Sequence, residues 1–206
     1  MKYNNERFKD ELLNQIVDKD LKFKYFITID YHYKCKDYNK VLLDNKHLRK
    51  TIRKFYKDDI RMWIFIEQHT DPVRNNYGGY HRHILIEDVQ DICWKESSSA
   101  LKTFLLELHP ESMFSALMNQ VPSERIKMKL LEKVIRGLNK SVPNGYLALH
   151  IKPINDIEGL VGYCTKQVDR FHPAYEVIDT CSSDVNPRPL LVLDRSKYYM
   201  KELSVK

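Results

Sequence analysis

Two runs constrain this chain more than any other feature: RMWIFIEQH (61–69) and YHRHILIE (80–87), joined by the turn-rich TDPVRNNYGG (70–79). Both runs are rich in β-branched and aromatic residues, and the link is crowded with Gly, Pro, Asn and Asp, so together they predict a β-hairpin. Side chains alternate faces along a strand. His81 and His83 therefore project side by side, and Glu67 and His69 share a face of the partner strand. A hairpin brings those faces together, committing four polar side chains to one patch of an otherwise apolar sheet. The same parity sends Arg82 to the opposite face, which cannot be fully apolar there.

The rest of the chain supplies elements to cover such a sheet. KYFITIDYHY (24–33) and YLALHIKP (146–153) read as further strands, and ELLNQIVDKDL (11–21) as a short helix. Residues 39–58 repeat apolar positions at helical spacing through Val41, Leu42, Leu48, Ile52 and Phe55. Residues 97–140 are mostly helical in pattern, with Pro110 and Pro122 at helix boundaries. Residues 155–171 predict a helix capped by Asn155 or Asp156. The expectation is an α+β domain over 1–175 and a C-terminal tail, 176–206, whose prolines leave it without assigned structure.

Several classes are excluded. No stretch approaches the roughly 20 apolar residues of a membrane helix, and the polar N-terminus has no secretory h-region. The six glycines never fall into a phosphate-loop spacing, so no motor domain is built in. Cys35, Cys93, Cys164 and Cys181 form no CxxC pair, which argues against a zinc knuckle and fits a reducing cytoplasm. The chain has 34 basic and 28 acidic residues, a balance of +6 that suits a polyanionic partner. The basic residues gather in KHLRKTIRKFYK (46–57), which includes Lys50, Arg53 and Lys54, and in RIKMKLLEKVIRGLNK (125–140). These are either solvated helix faces or surfaces that follow a phosphate backbone.

Two neutral imidazoles and a carboxylate would leave open positions on a divalent ion for water or a phosphate oxygen. Glu67, His81 and His83 are that candidate set, with His69 able to substitute or add a contact. Without thiolates, Mg²⁺ or Mn²⁺ suits a phosphate substrate, and zinc would also bind such donors. Histidines that merely hydrogen-bond are the alternative. Among 13 tyrosines, Tyr163 stands out by its helix. At 100° per residue, Ile157, Leu160, Val161, Cys164, Val168 and Phe171 form an apolar stripe. Tyr163, Lys166, Gln167 and Arg170 share a polar flank. Cations three and seven residues on would favour phenolate and neutralise a phosphate; an amphipathic tyrosine at a core edge is the alternative.

The order of these motifs (FITIDY, then IEQH with YHRHILIE, then a strand ending HIKP, then GYCTK) resembles the HUH endonucleases, specifically the single-tyrosine rolling-circle replication initiators of small plasmids and viruses. The resemblance spans roughly residues 24–171. It implies a central antiparallel sheet of about five strands flanked by helices, with residues 97–140 as a helical insert. It implies that His81, His83 and Glu67 hold Mg²⁺ or Mn²⁺. Tyr163 would attack a DNA phosphodiester to form a 5′-phosphotyrosine, and Lys166 would position tyrosine or phosphate. Lys50, Arg53, Lys54, Gln167 and Arg170 would contact DNA. Partners would be single-stranded or hairpin origin DNA, a separate helicase and host replication machinery, in the cytoplasm or wherever the replicon is copied. Arg82 departs from the family's usual hydrophobic residue between the histidines. Two-tyrosine initiators carry a second tyrosine where this chain has Gly159. A single-tyrosine transposase and a non-enzymatic basic DNA-binding protein are the competing readings.

Overall fold

The computed structural model describes residues 5–31, 35–55, 60–73, 77–88, 128, 131–132, 135–136, 148–168 and 177–188. In chain order these give α1 (Asn5–Asp18), β1 (Phe23–Asp30), α2 (Tyr38–Phe55), β2 (Met62–Gln68), β3 (Tyr80–Glu87), β4 (Ala148–Pro153) and α3 (Ile157–Cys164). The strands form a four-stranded sheet in the order β2-β3-β1-β4, every pair antiparallel. The architecture is α+β. No helix among the described residues is long and apolar enough to cross a membrane.

Strand parity divides the core in two. On the back face, Tyr25, Ile27, Ile29, Ile64, Ile84 and Ile86 pack against Val41, Leu48 and Ile52 of α2, with Leu131 and Ile135 joining them. On the front face, Trp63, Phe65 and Leu85 pack against Phe8 and Leu12 of α1 and Val161 and Cys164 of α3. Because both faces are covered, Met62 to Glu67 are all buried, and β2 reads as a nearly continuous apolar run rather than an alternating one. The expected insert at 97–140 lies almost entirely outside the described residues; the described part adds Leu131 and Ile135 to the back face.

The outer edge of β2 is closed by the chain after residue 176. Ile178 bridges Phe65, Asp179 N–H donates to Ile64 O at 2.9 Å, and Asp184 N–H donates to Met62 O at 2.8 Å. Side chains supply the acceptors: Met62 N–H donates to Asp184 Oδ2 and Ile64 N–H to Ser183 Oγ, each at 2.8 Å. Asp184 Oδ1 in turn accepts from Arg49 and Arg53 of α2.

Arg82 points to the back face as parity requires and is only 3% exposed. Its Nη1 donates to Asn45 Oδ1 at 3.1 Å, Asn45 Nδ2 donates to Asp179 Oδ2 at 3.0 Å, and the guanidinium sits 4.9 Å from the centroid of the Tyr31 ring. A buried charge is tolerated only when it is paired and hydrogen-bonded, and Asn45 is the relay that links this one to its carboxylate. The helix expected over 155–171 is shorter: it starts after the N-cap Asp156, whose side chain accepts from Gly159 N–H, and ends at Cys164. At its end the Thr165 hydroxyl donates to Val161 O at 2.8 Å, beside the Thr165 N–H bond to the same oxygen, and reaches the terminal carbonyl of Gly162 at 3.3 Å.

Asn45→Ala would take from Arg82 Nη1 and Asp179 Oδ2 their shared partner; we expect it to destabilise the fold by about 2–4 kcal/mol, read as a lower urea midpoint.

Candidate metal and nucleophile site

Pairing register decides which front-face side chains meet. Glu67 lies directly opposite His81, and on the other side of β3 Asp30 pairs with His81 and Thr28 with His83. The long loop between Glu67 and His81 does not disturb this register. His69 N–H donates to Gly79 O and Gly78 N–H to His69 O, both at 2.8 Å, so the ladder closes cleanly. Gly78 has φ 75°, in the left-handed region that favours glycine.

The three groups converge tightly. His83 Nε2 is 3.0 Å and His81 Nε2 is 3.4 Å from Glu67 Oε2, and the two Nε2 atoms are 3.1 Å apart. Glu67, His81 and His83 each offer one ligand atom, all within 4.8 Å of one another. Ligands at ~2.1 Å around an octahedral ion stand about 3 Å apart, so this spacing fits a small divalent cation. Tautomer chemistry is compatible with this. With Nδ1–H on Thr28 Oγ1, 3.1 Å away, His83 presents its Nε2 lone pair to the cluster, the tautomer a cation requires; in the other tautomer Nε2–H donates to Glu67 Oε2 at 3.0 Å.

The surrounding groups fix the rings. His83 stacks on Phe26 at 5.3 Å between centroids, and His81 stacks on His69 at 4.1 Å. His69 Nε2 lies 3.1 Å from Asp30 Oδ1, so His69 walls and orients the cluster rather than converging with it. Burial alone would raise the Glu67 carboxyl, but hydrogen bonds from His81, His83 and Lys166 outweigh it and hold the group well below the usual carboxylate range. Burial pushes His83 down, with the Glu67 hydrogen bond opposing and the charge of His81 adding to the fall. A neutral imidazole beside an ionised carboxylate is the protonation state a metal requires.

Tyr163 stands at the open side of this cluster. It is 45% exposed, with its ring 5.2 Å from that of His83 and 6.5 Å from that of Phe26. Lys166 bridges nucleophile candidate and carboxylate: Nζ is 2.7 Å from Glu67 Oε1 and 3.7 Å from the Tyr163 ring centroid. Burial works against the Lys166 charge, but bonds to Glu67 and Tyr163 more than restore it and raise its affinity for the proton. The rival Tyr31 is buried with its hydroxyl donating to Asp44, and burial raises it far above the ordinary phenol.

Other expected residues fall elsewhere. Gln167 lies not on the helix expected over 155–171 but in the turn after α3, with both ends of its amide on β2. Lys50 and Arg53 belong to α2, which covers the back face, and Arg53 is paired with Asp184. The Lys54 side chain and Arg170 lie outside the described residues. Thr28 and Asp30 were missed, although FITID puts Phe26, Thr28 and Asp30 on one parity, a signal as plain as that of the histidines. No family model matches the chain, and neither the curated proteins nor the solved structures give a match.

Titrating Mn²⁺ calorimetrically should give one site, with affinity falling at least tenfold in His81→Ala and in His83→Ala; undiminished binding would dismiss the cluster as a metal site. In chelator, the lowered His83 value makes the unfolded chain the stronger proton acceptor. That contribution is intact above the ordinary imidazole value of 6.5 and lost as pH falls through the folded value. His83→Gln should therefore flatten the decline in melting temperature below that pH.

Proposed function

We propose that this chain is a metal-dependent, site-specific nickase and ligase of single-stranded DNA that initiates rolling-circle replication of a plasmid or virus, as a single-tyrosine HUH endonuclease. The observation that carries the reading is the exposed Tyr163 ring 5.2 Å from His83, with Lys166 shared between that tyrosine and Glu67. A candidate nucleophile, a cation and a candidate ligand cluster thus stand next to one another. In this reading residues 177–184 take the place of the fifth strand at the β2 edge.

Glu67, His81 and His83 would hold Mg²⁺ or Mn²⁺, which when bound polarises a non-bridging phosphate oxygen. Tyr163 Oη attacks phosphorus, giving up its proton. The bond from phosphorus to the 3′ oxygen breaks, and that oxygen leaves as a 3′-OH. Because the new tyrosyl ester keeps the phosphodiester bond order, a 3′-OH can attack it and reseal the strand. Lys166 offsets negative charge at the phenol and the phosphate. On β4, exposed His150 and Lys152 pair opposite Thr28 and Phe26, extending polar ground along the same face for the strand. In this reading a helicase partner opens the duplex.

Wild type mixed with a randomised single-stranded DNA pool and Mn²⁺ should give a covalent adduct on a denaturing gel, and chelator should abolish it. Tyr163→Phe should form none while keeping DNA affinity within about threefold, roughly 0.7 kcal/mol. An adduct that survives in Tyr163→Phe would move the chemistry to another residue. DNA binding without any adduct would favour a non-catalytic DNA-binding protein.

A further inference from the structure

The side-chain amide of Gln167 behaves as a piece of β-strand. Gln68 N–H donates to Gln167 Oε1 at 3.0 Å, and Gln167 Nε2 donates to Gln68 O at 2.8 Å. A primary amide has the donor and acceptor of a peptide group, so it completes the edge of β2 where the main chain of 178–184 no longer runs. The bonds on Met62 and Ile64 come from that segment, and the pair on Gln68 comes from Gln167. The same Nε2 also lies 3.4 Å from Glu67 Oε1, the oxygen that takes Lys166.

These contacts join two parts of the site that the sequence leaves about 100 residues apart. One is the strand end that carries Glu67. The other is the turn that follows Tyr163, braced by the Thr165 hydroxyl on Val161 O. Lys166 adds an ionic contact between the same two parts, but a flexible lysine tolerates a range of positions, whereas two bonds to the backbone N–H and C=O of one residue fix both distance and orientation. Glu67 is also held with Oε1 on Lys166 and Gln167 and Oε2 toward the histidines.

We infer that Gln167 is a positioning residue: its amide splices the turn after Tyr163 into the edge of β2 and so sets where the nucleophile stands relative to the Glu67–His81–His83 cluster. Its catalytic consequence rests on the nickase reading above. With Gln167 removed, the cluster and the DNA surface stay intact, but Tyr163 samples more orientations and the chemical step slows.

The test uses Gln167→Ala and Gln167→Glu in the full chain. The probe is an oligonucleotide carrying the sequence captured from the random single-stranded pool. Hydrogen exchange of the Gln68 amide should accelerate at least tenfold in Gln167→Ala, with calorimetric Mn²⁺ affinity within threefold of wild type as the check on folding. Adduct formation at saturating DNA should slow at least tenfold while DNA affinity holds. Gln167→Glu should be no better, because its second carboxylate oxygen would meet Gln68 O and Glu67. Unchanged Gln68 exchange would refute the splice. An unchanged rate would reduce it to edge closure, and weakened DNA affinity with an unchanged rate would make Gln167 a DNA contact. Should wild type form no adduct, the nickase reading fails and the positioning role falls with it, while Gln68 exchange still decides whether the splice exists.

Discussion

Everything at the front face depends on how Glu67 is satisfied. A carboxylate taken out of water must have each oxygen answered, or the fold loses several kcal/mol. Glu67 divides the task, with Oε2 facing two imidazoles and Oε1 facing Lys166 and the Gln167 amide. One buried charge thereby ties together β2, β3 and the turn after α3. The histidine cluster and the tyrosine are near each other because the same carboxylate takes Lys166, whose ammonium also lies over the Tyr163 ring.

The sheet that carries this arrangement treats its faces differently. The back face is aliphatic and packs against α2, interrupted by Arg82 with its Asn45–Asp179 relay. The front face begins apolar under α1 and α3 and turns polar toward the end where β2 and β3 meet their loop. That gradient places the Glu67–His81–His83 cluster and the exposed Tyr163 at one end of the sheet, while the hydrophobic packing that supports them lies a few residues away along the same strands.

Much of this was legible in the sequence because strand parity is a strict rule. RMWIFIEQH and YHRHILIE carry the hairpin, the shared face of Glu67, His81 and His83, and the placing of Arg82 on the opposite face. Tyr163 and Lys166 came out together because residues three apart approach each other in a helix and in the turn that ends it alike. Other features depended on contacts that no local pattern encodes. The helix was read past Cys164 because Thr165 to Phe171 keep an apolar rhythm, and only the back-bonding hydroxyl of Thr165 says otherwise. Gln167 and Arg53 looked like solvent-facing polar groups, yet their partners, Gln68 and Asp184, lie 99 and 131 positions away.

A strand laid along β2 would occupy its edge through many equivalent backbone bonds, none belonging to a particular side chain. Here Asp184 covers Met62 with its own N–H and carboxylate and neutralises Arg49 and Arg53 from the same carboxylate. At Met62 that protection rests on one replaceable side chain, while Ile178, Asp179, Ser183 and Gln167 hold other positions of the edge. Loss of the Asp184 carboxylate would leave the Met62 N–H unpaired beside two uncompensated guanidiniums, and the cations would help the protein, since charge at a bared edge discourages another strand from docking there. The edge thus fails toward local instability rather than toward sheet-to-sheet aggregation.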